Sequence, residues 1–386
     1  MYKMISPSAP PPKRKQIRLP EILAAIGLIL AFGFAVFNIL ANLEAAGATP
    51  GFGFLFQEAG FDISESLIPY SSSDTYLQVI FAGVLNTILL AVVCIFCSTL
   101  IGIGFGLLSV GPSPVGRGLA LAYVDVFRNL PKLLILLVLY AVAVNGLPHV
   151  REAYTIGHFH LSNRAVNFPT LVWTPGLWVL LASTAAGVGG ALYLRQKASR
   201  LPTRYRRAVP FGFWAIALLF PLLCLAVFDI RPALSFPEMK GFDFQGGGRV
   251  SLQFVIVAAT LSIYHGAQIA EVVRGGLQAV PSGQGEAAKA LGLNRWLTVR
   301  LVILPQVFRI VIPPMNNQYV NLIKNTSIAI AVGYSDLMSV SGTIINQSFK
   351  PLEMMLITMA IYLVICLSVT SSLNQWHQHL TSRESR

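Results

Sequence analysis

The sequence predicts an all-α integral membrane protein, polytopic, with about eight transmembrane helices. Three observations carry this reading. Of 386 residues, 54% are hydrophobic and only 11% are charged, where a soluble domain holds about a quarter charged residues. Apolar runs long enough to cross about 30 Å of hydrocarbon recur along the chain. The basic residues also alternate from loop to loop, as membrane topology requires. A formal net charge of +12 would point to nucleic acid in a soluble protein; here it is read through topology, and no nucleic-acid partner is expected.

Residues 1–20 are Pro-rich and basic, with Lys13, Arg14, Lys15 and Arg18, the composition of a disordered cytoplasmic tail. The run from Ile22 to Leu43 is the first span. Its length, with no small-residue cleavage site close behind, speaks against a cleavable signal. Residues 44–78 carry Glu44, Glu58, Asp62, Glu65 and Asp74 and suit an external loop with a short helix at the membrane surface. The first span and this loop form a unit over 21–81.

Span two covers 82–110, with Gly102, Gly104 and Gly106 near its inner end, where small residues let helices approach. Span three covers 119–146. Span four runs from Leu171 to Leu194 and span five from Phe211 to Phe228, with a basic loop between them that holds Arg195, Lys197, Arg200, Arg204, Arg206 and Arg207. Spans six, seven and eight fall at 251–273, 308–333 and 354–374, and 376–386 is a second cytoplasmic tail. With the N-terminus inside, the cytoplasmic pieces hold about 19 of the 28 Lys and Arg, and the external pieces about six. Arg128, Lys132 and Lys324 fall within or beside spans. Eight spans with both termini cytoplasmic satisfies every loop, and seven would invert the later ones.

One long segment, from Tyr264 to Pro305, interrupts this apolar pattern. Pro281-Ser282-Gly283-Gln284-Gly285 breaks the chain, and Glu286 to Leu291 favours a short helix. Gly292 sits where that helix stops, since a helix end takes a left-handed residue readily when it is Gly. Asn294 is an N-cap for a second short helix, Arg295 to Leu304, ended by Pro305. Two short helices joined at a glycine bend are too small to fold alone. They read as a rigid knob for another protein, against the plainer reading of an Ala-rich loop.

These residues carry a resemblance. Glu286-Ala287-Ala288, then Gly292, then Val302, Leu304 and Pro305 at their spacing resemble the EAA loop of binding-protein-dependent ABC importers, with Val302 where Ile is commoner. Ala270 to Gly275 and Val302 to Gln306 look like permease subunits for polar amino acids. Gly83 to Leu90 and Tyr123 to Pro131 resemble the first two core spans, although Leu130 stands where the family more often has Thr before that Pro, and Leu134 to Leu137 where a Gln is usual. Residues 82–146 and 251–375 thus look like a five-span permease core, with the coupling loop at 275–305. The added first span and the 147–250 insertion resemble the larger permeases of general L-amino acid and glutamate/glutamine/aspartate/asparagine systems.

The resemblance implies a subunit in a Gram-negative inner membrane that works with ABC ATPase subunits. It implies a second homologous permease as a heterodimer partner, and a periplasmic amino-acid-binding protein. Glu286, Ala287, Ala288, Gly292, Leu304 and Pro305 would form the ATPase-coupling loop. The alternatives are an ABC permease for another small polar solute and an ion-coupled secondary amino-acid transporter. A non-transporting membrane scaffold is a third.

Charged groups at membrane depth are costly and are functional candidates by default. Asn317, Asn321, Lys324 and Asn325 fall at i, i+4, i+7 and i+8, one helical face, just after Pro313 and Pro314. That face offers a cation and acceptors to a zwitterionic amino acid; equally, it cements helix packing while Lys324 snorkels. His265 reads as a substrate-path candidate or a packed histidine. Arg128 reads as an ion pair with Asp125, and Glu271 with Arg274 as an i, i+3 pair that staples the coupling loop to the core.

No G-x-x-x-x-G-K-[ST] phosphate loop is present, so ATP is expected on a partner subunit, with no cofactor held here. No catalytic arrangement stands out, and an enzyme is not expected. Gly246-Gly247-Gly248 reads as an external turn. His158 and His160 lack a third ligand at metal spacing. Cys94 and Cys97 form a C-x-x-C inside an apolar run, where packing is the reading, and the four Cys give no disulfide framework.

Overall fold

The computed structural model describes residues 19–45, 51–172 and 234–382, with a helical piece at 182–190 and single residues at 178, 219 and 223. Helix α1 (Leu19–Ala45) covers the first expected span. Between 51 and 75 the chain makes one 3₁₀ turn, Gly53–Phe56, and otherwise runs through bends, a turn at Ser72-Ser73 and irregular backbone. The expected surface helix shrinks to that turn, because Gly, Pro and the Ser71-Ser72-Ser73-Asp74 run favour turns over helix.

Helix α2 (Tyr76–Ser109) opens with a capping box, Thr75 with Gln78, and α5 (Leu252–Gln278) opens on Ser251, whose side chain accepts from Phe254 N–H. The two helices run side by side in the same direction. A Cβ on Gly102 would lie 2.4 Å from Ile269 Cγ2, and one on Gly106 2.7 Å from Val273, while Gly104 faces open space. The approach therefore rests on two glycines one helical turn apart. Cys94 lies on the same seam and its thiol reaches the Ala258 carbonyl at 3.8 Å.

Span three, expected as one helix, is two. Helix α3 (Pro114–Asn129) and α4 (Lys132–Gly146) meet at 102°. Leu130 is extended (φ −86°, ψ 139°) because it precedes Pro131, which disfavours the helical region for its neighbour. A helix of 15 residues rises only about 22 Å, so α4 alone falls short of a full crossing. Tyr123 ties α3 to α5 by donating to the Ile263 carbonyl at 2.6 Å.

Past α5 come α6 (Ser282–Ala290), α7 (Arg295–Thr298) and α8 (Leu304–Asn325), then a 3₁₀ stretch Thr326–Val332, α9 (Leu337–Ser348) and α10 (Pro351–Ser382). Gly276 lets α8 cross closely, its missing Cβ leaving room for Val311, and Ile269, Val273, Val307, Val311 and Met315 pack there as one cluster. The main core gathers Leu90, Leu136, Leu261, Leu322 and Tyr334 from four helices and the segment after α8. Thr87 fixes the start of α9, accepting from Leu337 N–H at 2.9 Å.

Among the described residues four helices are long and apolar enough to cross a membrane, or five if the bent α3–α4 pair is one span. The eight expected are not all found. Spans four and five lie mostly outside the described residues, where only 182–190 is seen as helix. The expectation of an all-α chain also gives way. Strands β1 (Tyr154–Ile156), β2 (Phe159–Leu161), β3 (Ala165–Phe168) and β8 (Gly248–Ser251) form an antiparallel sheet in the order β1-β2-β3-β8. Two smaller pairs join β4 (Thr170–Leu171) to β5 (Leu234–Ser235) and β6 (Glu238–Lys240) to β7 (Asp243–Gln245). These strands are only two to four residues long between turns, too short for a period-2 pattern to stand out beside long apolar runs. Gly246 and Gly247, at φ 79° and 63°, turn the chain from β7 into β8. His158 packs at a tilt on Phe236 and His160 stacks on Phe244, with centroids 4.4 Å apart in each pair, and no metal-ligand cluster exists among the described residues.

Candidate functional site

At the end of the bundle opposite the sheets, the chain between α5 and α8 builds the expected knob. Helix α6 starts after Pro281 and ends in a Schellman motif: Leu293 N–H bonds the Ala288 carbonyl at 3.1 Å and Gly292 N–H the Lys289 carbonyl at 2.9 Å. Gly292 sits at φ 75°. Asn294 caps α7, its Oδ1 accepting from Leu297 N–H at 2.9 Å. Ala288 is buried while Glu286 and Ala287 face outward. Leu291 and Trp296 stand 80% and 68% exposed beside them, so the knob presents an acidic residue flanked by large apolar groups that the described residues leave uncovered.

The second short helix differs from expectation. Helix α7 lasts four residues and passes through a π turn, Val299–Ile303, directly into α8. Leu304 N–H bonds the Val299 carbonyl five residues back, and Pro305 lies in the first turn of α8, where a missing N–H costs nothing. Pro305 therefore begins a helix. Gln306 Nε2 joins the knob to α8, reaching Gln284 Oε1 at 3.2 Å and the Val302 carbonyl at 2.9 Å.

Above the knob, Arg274 grips Glu271 through two nitrogens, Nε to Oε2 at 2.9 Å and Nη2 to Oε1 at 2.5 Å. Arg128 of α3 approaches the same Oε2 at 3.7 Å. The expected i, i+3 pair is present. Arg128, however, pairs with Glu271 and not with Asp125, because α3 lies across α5 and brings its last turn there.

The polar row of α8 divides. Asn317, Asn321 and Lys324 are exposed. Asn325, at the edge of that face, turns inward: Lys132 Nζ donates to its Oδ1, and its Nδ2 lies 3.1 Å from His265 Nε2. Lysine only donates, so the Asn325 amide must donate to Nε2, which leaves the His265 proton on Nδ1. His265 is 2% exposed, and that Nδ1 has no hydrogen-bond partner among the described residues. Sequence reasoning set Lys132 aside as a residue beside a span; only the α3–α4 bend delivers it to His265 and Asn325.

At the sheet end the 57–75 segment straps three elements together. Asn86 Nδ2 donates to the Glu65 and Ser335 carbonyls, each at 2.8 Å. The Glu65 carboxylate accepts from Ser251 N–H, and burial pushes its pKa up from the usual 4.5, against smaller opposing pulls from Ser251 and Arg249.

The family described as binding-protein-dependent transport system inner membrane component matches residues 98–383. A putative amino-acid ABC transporter permease of Escherichia coli K12, YhdX, is 35% identical over 93% of this chain and 93% of its own. The general L-amino acid transport system permease AapQ of Rhizobium johnstonii is 36% identical over 92% of this chain and 90% of its own. The glutamate/glutamine/aspartate/asparagine transport system permease BztB of Rhodobacter capsulatus is 33% identical, covering 90% and 89%.

Proposed function

The chain belongs to the binding-protein-dependent transport system inner membrane components, and on that premise we propose that it is the transmembrane permease subunit of an ABC importer that carries L-amino acids across the inner membrane. The work comes from separate ATPase subunits that bind ATP. The single observation that carries this reading is the knob at 282–304: two capped short helices, an exposed Glu286 and exposed Leu291 and Trp296, between long apolar helices. Such a body suits a groove on another subunit. Its π turn and the Gln306 bonds join it to α8 without a hinge residue between, so a push on Glu286, Ala287, Ala288 or Gly292 passes through Leu304 and Pro305 into the membrane.

The remaining parts follow. The exposed Asn317, Asn321 and Lys324 face a second, homologous permease and line the substrate path with it, and Asn325 and His265 form its wall. A periplasmic amino-acid-binding protein delivers substrate at the sheet end, with both termini cytoplasmic. Names of the relatives support the amino-acid cargo. Binding shifts the inward/outward balance only by its differential affinity for the two states.

The test is uptake of labelled amino acids into proteoliposomes that hold this chain, its neighbouring permease and ATPase, with binding protein outside. Uptake that needs internal ATP and binding protein, and no ion gradient, is the expected result. Uptake driven by an ion gradient alone overturns it.

A further inference from the structure

A cavity of about 320 Å³ lies at the sheet end, between the strap, Asn86 and Leu89 of α2, the end of β8, the first turn of α5 and the segment after α8. Its volume is roughly ten times the share of one water in the liquid, room for a small organic molecule. Two opposite charges line it. Glu65 holds a half-buried carboxylate whose bonded partner is Ser251, with no cation within ion-pairing distance among the described residues. Arg249 gives Nη1 to Asp243 Oδ2 at 3.0 Å, which leaves most of its five N–H donors unused. The two face one cavity without pairing with each other. Phe254 and Tyr334, ring centroids 5.6 Å apart, form an aromatic side of the same space.

A carboxylate that burial makes costly gains most from a ligand cation, and a guanidinium with free donors from a ligand carboxylate. We propose that this cavity binds a free α-amino acid as a zwitterion, its ammonium on Glu65, its carboxylate on Arg249 and its side chain over Phe254 and Tyr334. The site is distinct from the Asn317–Lys324 face and stands where a solute first meets the chain at the sheet end. It rests on the transport reading above only for the choice of amino acids as the ligand class.

The experiment uses the full chain in lipid nanodiscs and saturation-transfer NMR with L-alanine, N-acetyl-L-alanine and L-alaninamide. L-Alanine is expected to take saturation, and the analogues, each lacking one charge, to lose it at least tenfold. Arg249→Gln is expected to abolish the L-alanine signal; Arg249 is half exposed on β8, so the fold does not depend on it. Glu65→Gln, which keeps the acceptor for Ser251, is expected to do the same. Equal signals from the analogues, or a full L-alanine signal in Arg249→Gln, overturn the proposal, as does no signal from the natural chain. If the assembled transporter moves no amino acid while L-alanine saturates the natural chain and not Arg249→Gln, the transport reading fails and the cavity stands.

Discussion

Arg274 and Glu271, three residues apart on α5, meet through two nitrogens and two oxygens, at 2.9 Å and 2.5 Å. The pair lies where α5 leaves the bundle for the knob, and Arg128 extends it to α3. Its side chains are 30% and 28% exposed, so its contribution to stability is small, on the order of 1 kcal/mol. Its weight lies in fixing the angle between the knob and two helices.

Glu271→Gln is therefore expected to leave insertion intact, to shift the thermal midpoint little, and to slow uptake about fivefold or more, the effect of losing about 1 kcal/mol of coupling between knob and helices. Thermal melts in nanodiscs and proteoliposome uptake measure the two sides. A large fall in the midpoint with uptake in proportion to folded protein would make the pair merely structural.

Gly292→Pro removes the left-handed residue of the Schellman turn, which proline at φ near −65° cannot adopt. We expect inserted protein with uptake below about a tenth of the natural level, in keeping with loss of a defined transmitting body. Glu286→Lys reverses the charge on the exposed face and is expected to uncouple in the same way. Natural uptake rates in either variant count against the knob as the ATPase contact.

The divided polar row separates two effects. Asn325→Ala strips partners from Lys132 and His265 and is expected to destabilise by about 1–3 kcal/mol, the cost of unsatisfied buried groups. Lys324→Met, on the exposed face, is expected to leave the thermal midpoint unchanged and to impair uptake while the ATPase still co-purifies. Unchanged uptake kinetics in Lys324→Met would assign that face to packing.

Glu65 sets a pH dependence. Burial raises its folded pKa above the ordinary 4.5, so stability from its protonated form is full below about that value and is lost as pH rises through the folded pKa. The thermal midpoint of the natural chain should decline over that window relative to Glu65→Gln. Parallel curves for the two proteins refute it.

Long apolar runs announce themselves, and α2, α5 and α10 sit where hydropathy puts them. Gly292 and Asn294 were equally plain, because a left-handed turn and an N-cap each need one residue type at one place. Other features needed three dimensions. Hydropathy counts Leu130-Pro131 inside a span, and only the backbone preference of a residue before proline hints at a right-angle turn. Pro305 reads as a terminator until the π turn shows its N–H is not missed. Of Gly102, Gly104 and Gly106, the second faces away, since only residues a turn apart share a seam. Arg128 and Glu271 are far apart in sequence, and no local spacing pairs them.

Strands β3 and β8 place Phe168 and Gly248 opposite one another on the same rung. The chain thus departs and returns at a single doorway, so the two ends of everything between already lie together. A genetic excision that closes this doorway with a tight turn should yield a shorter, heritable version of the same machine.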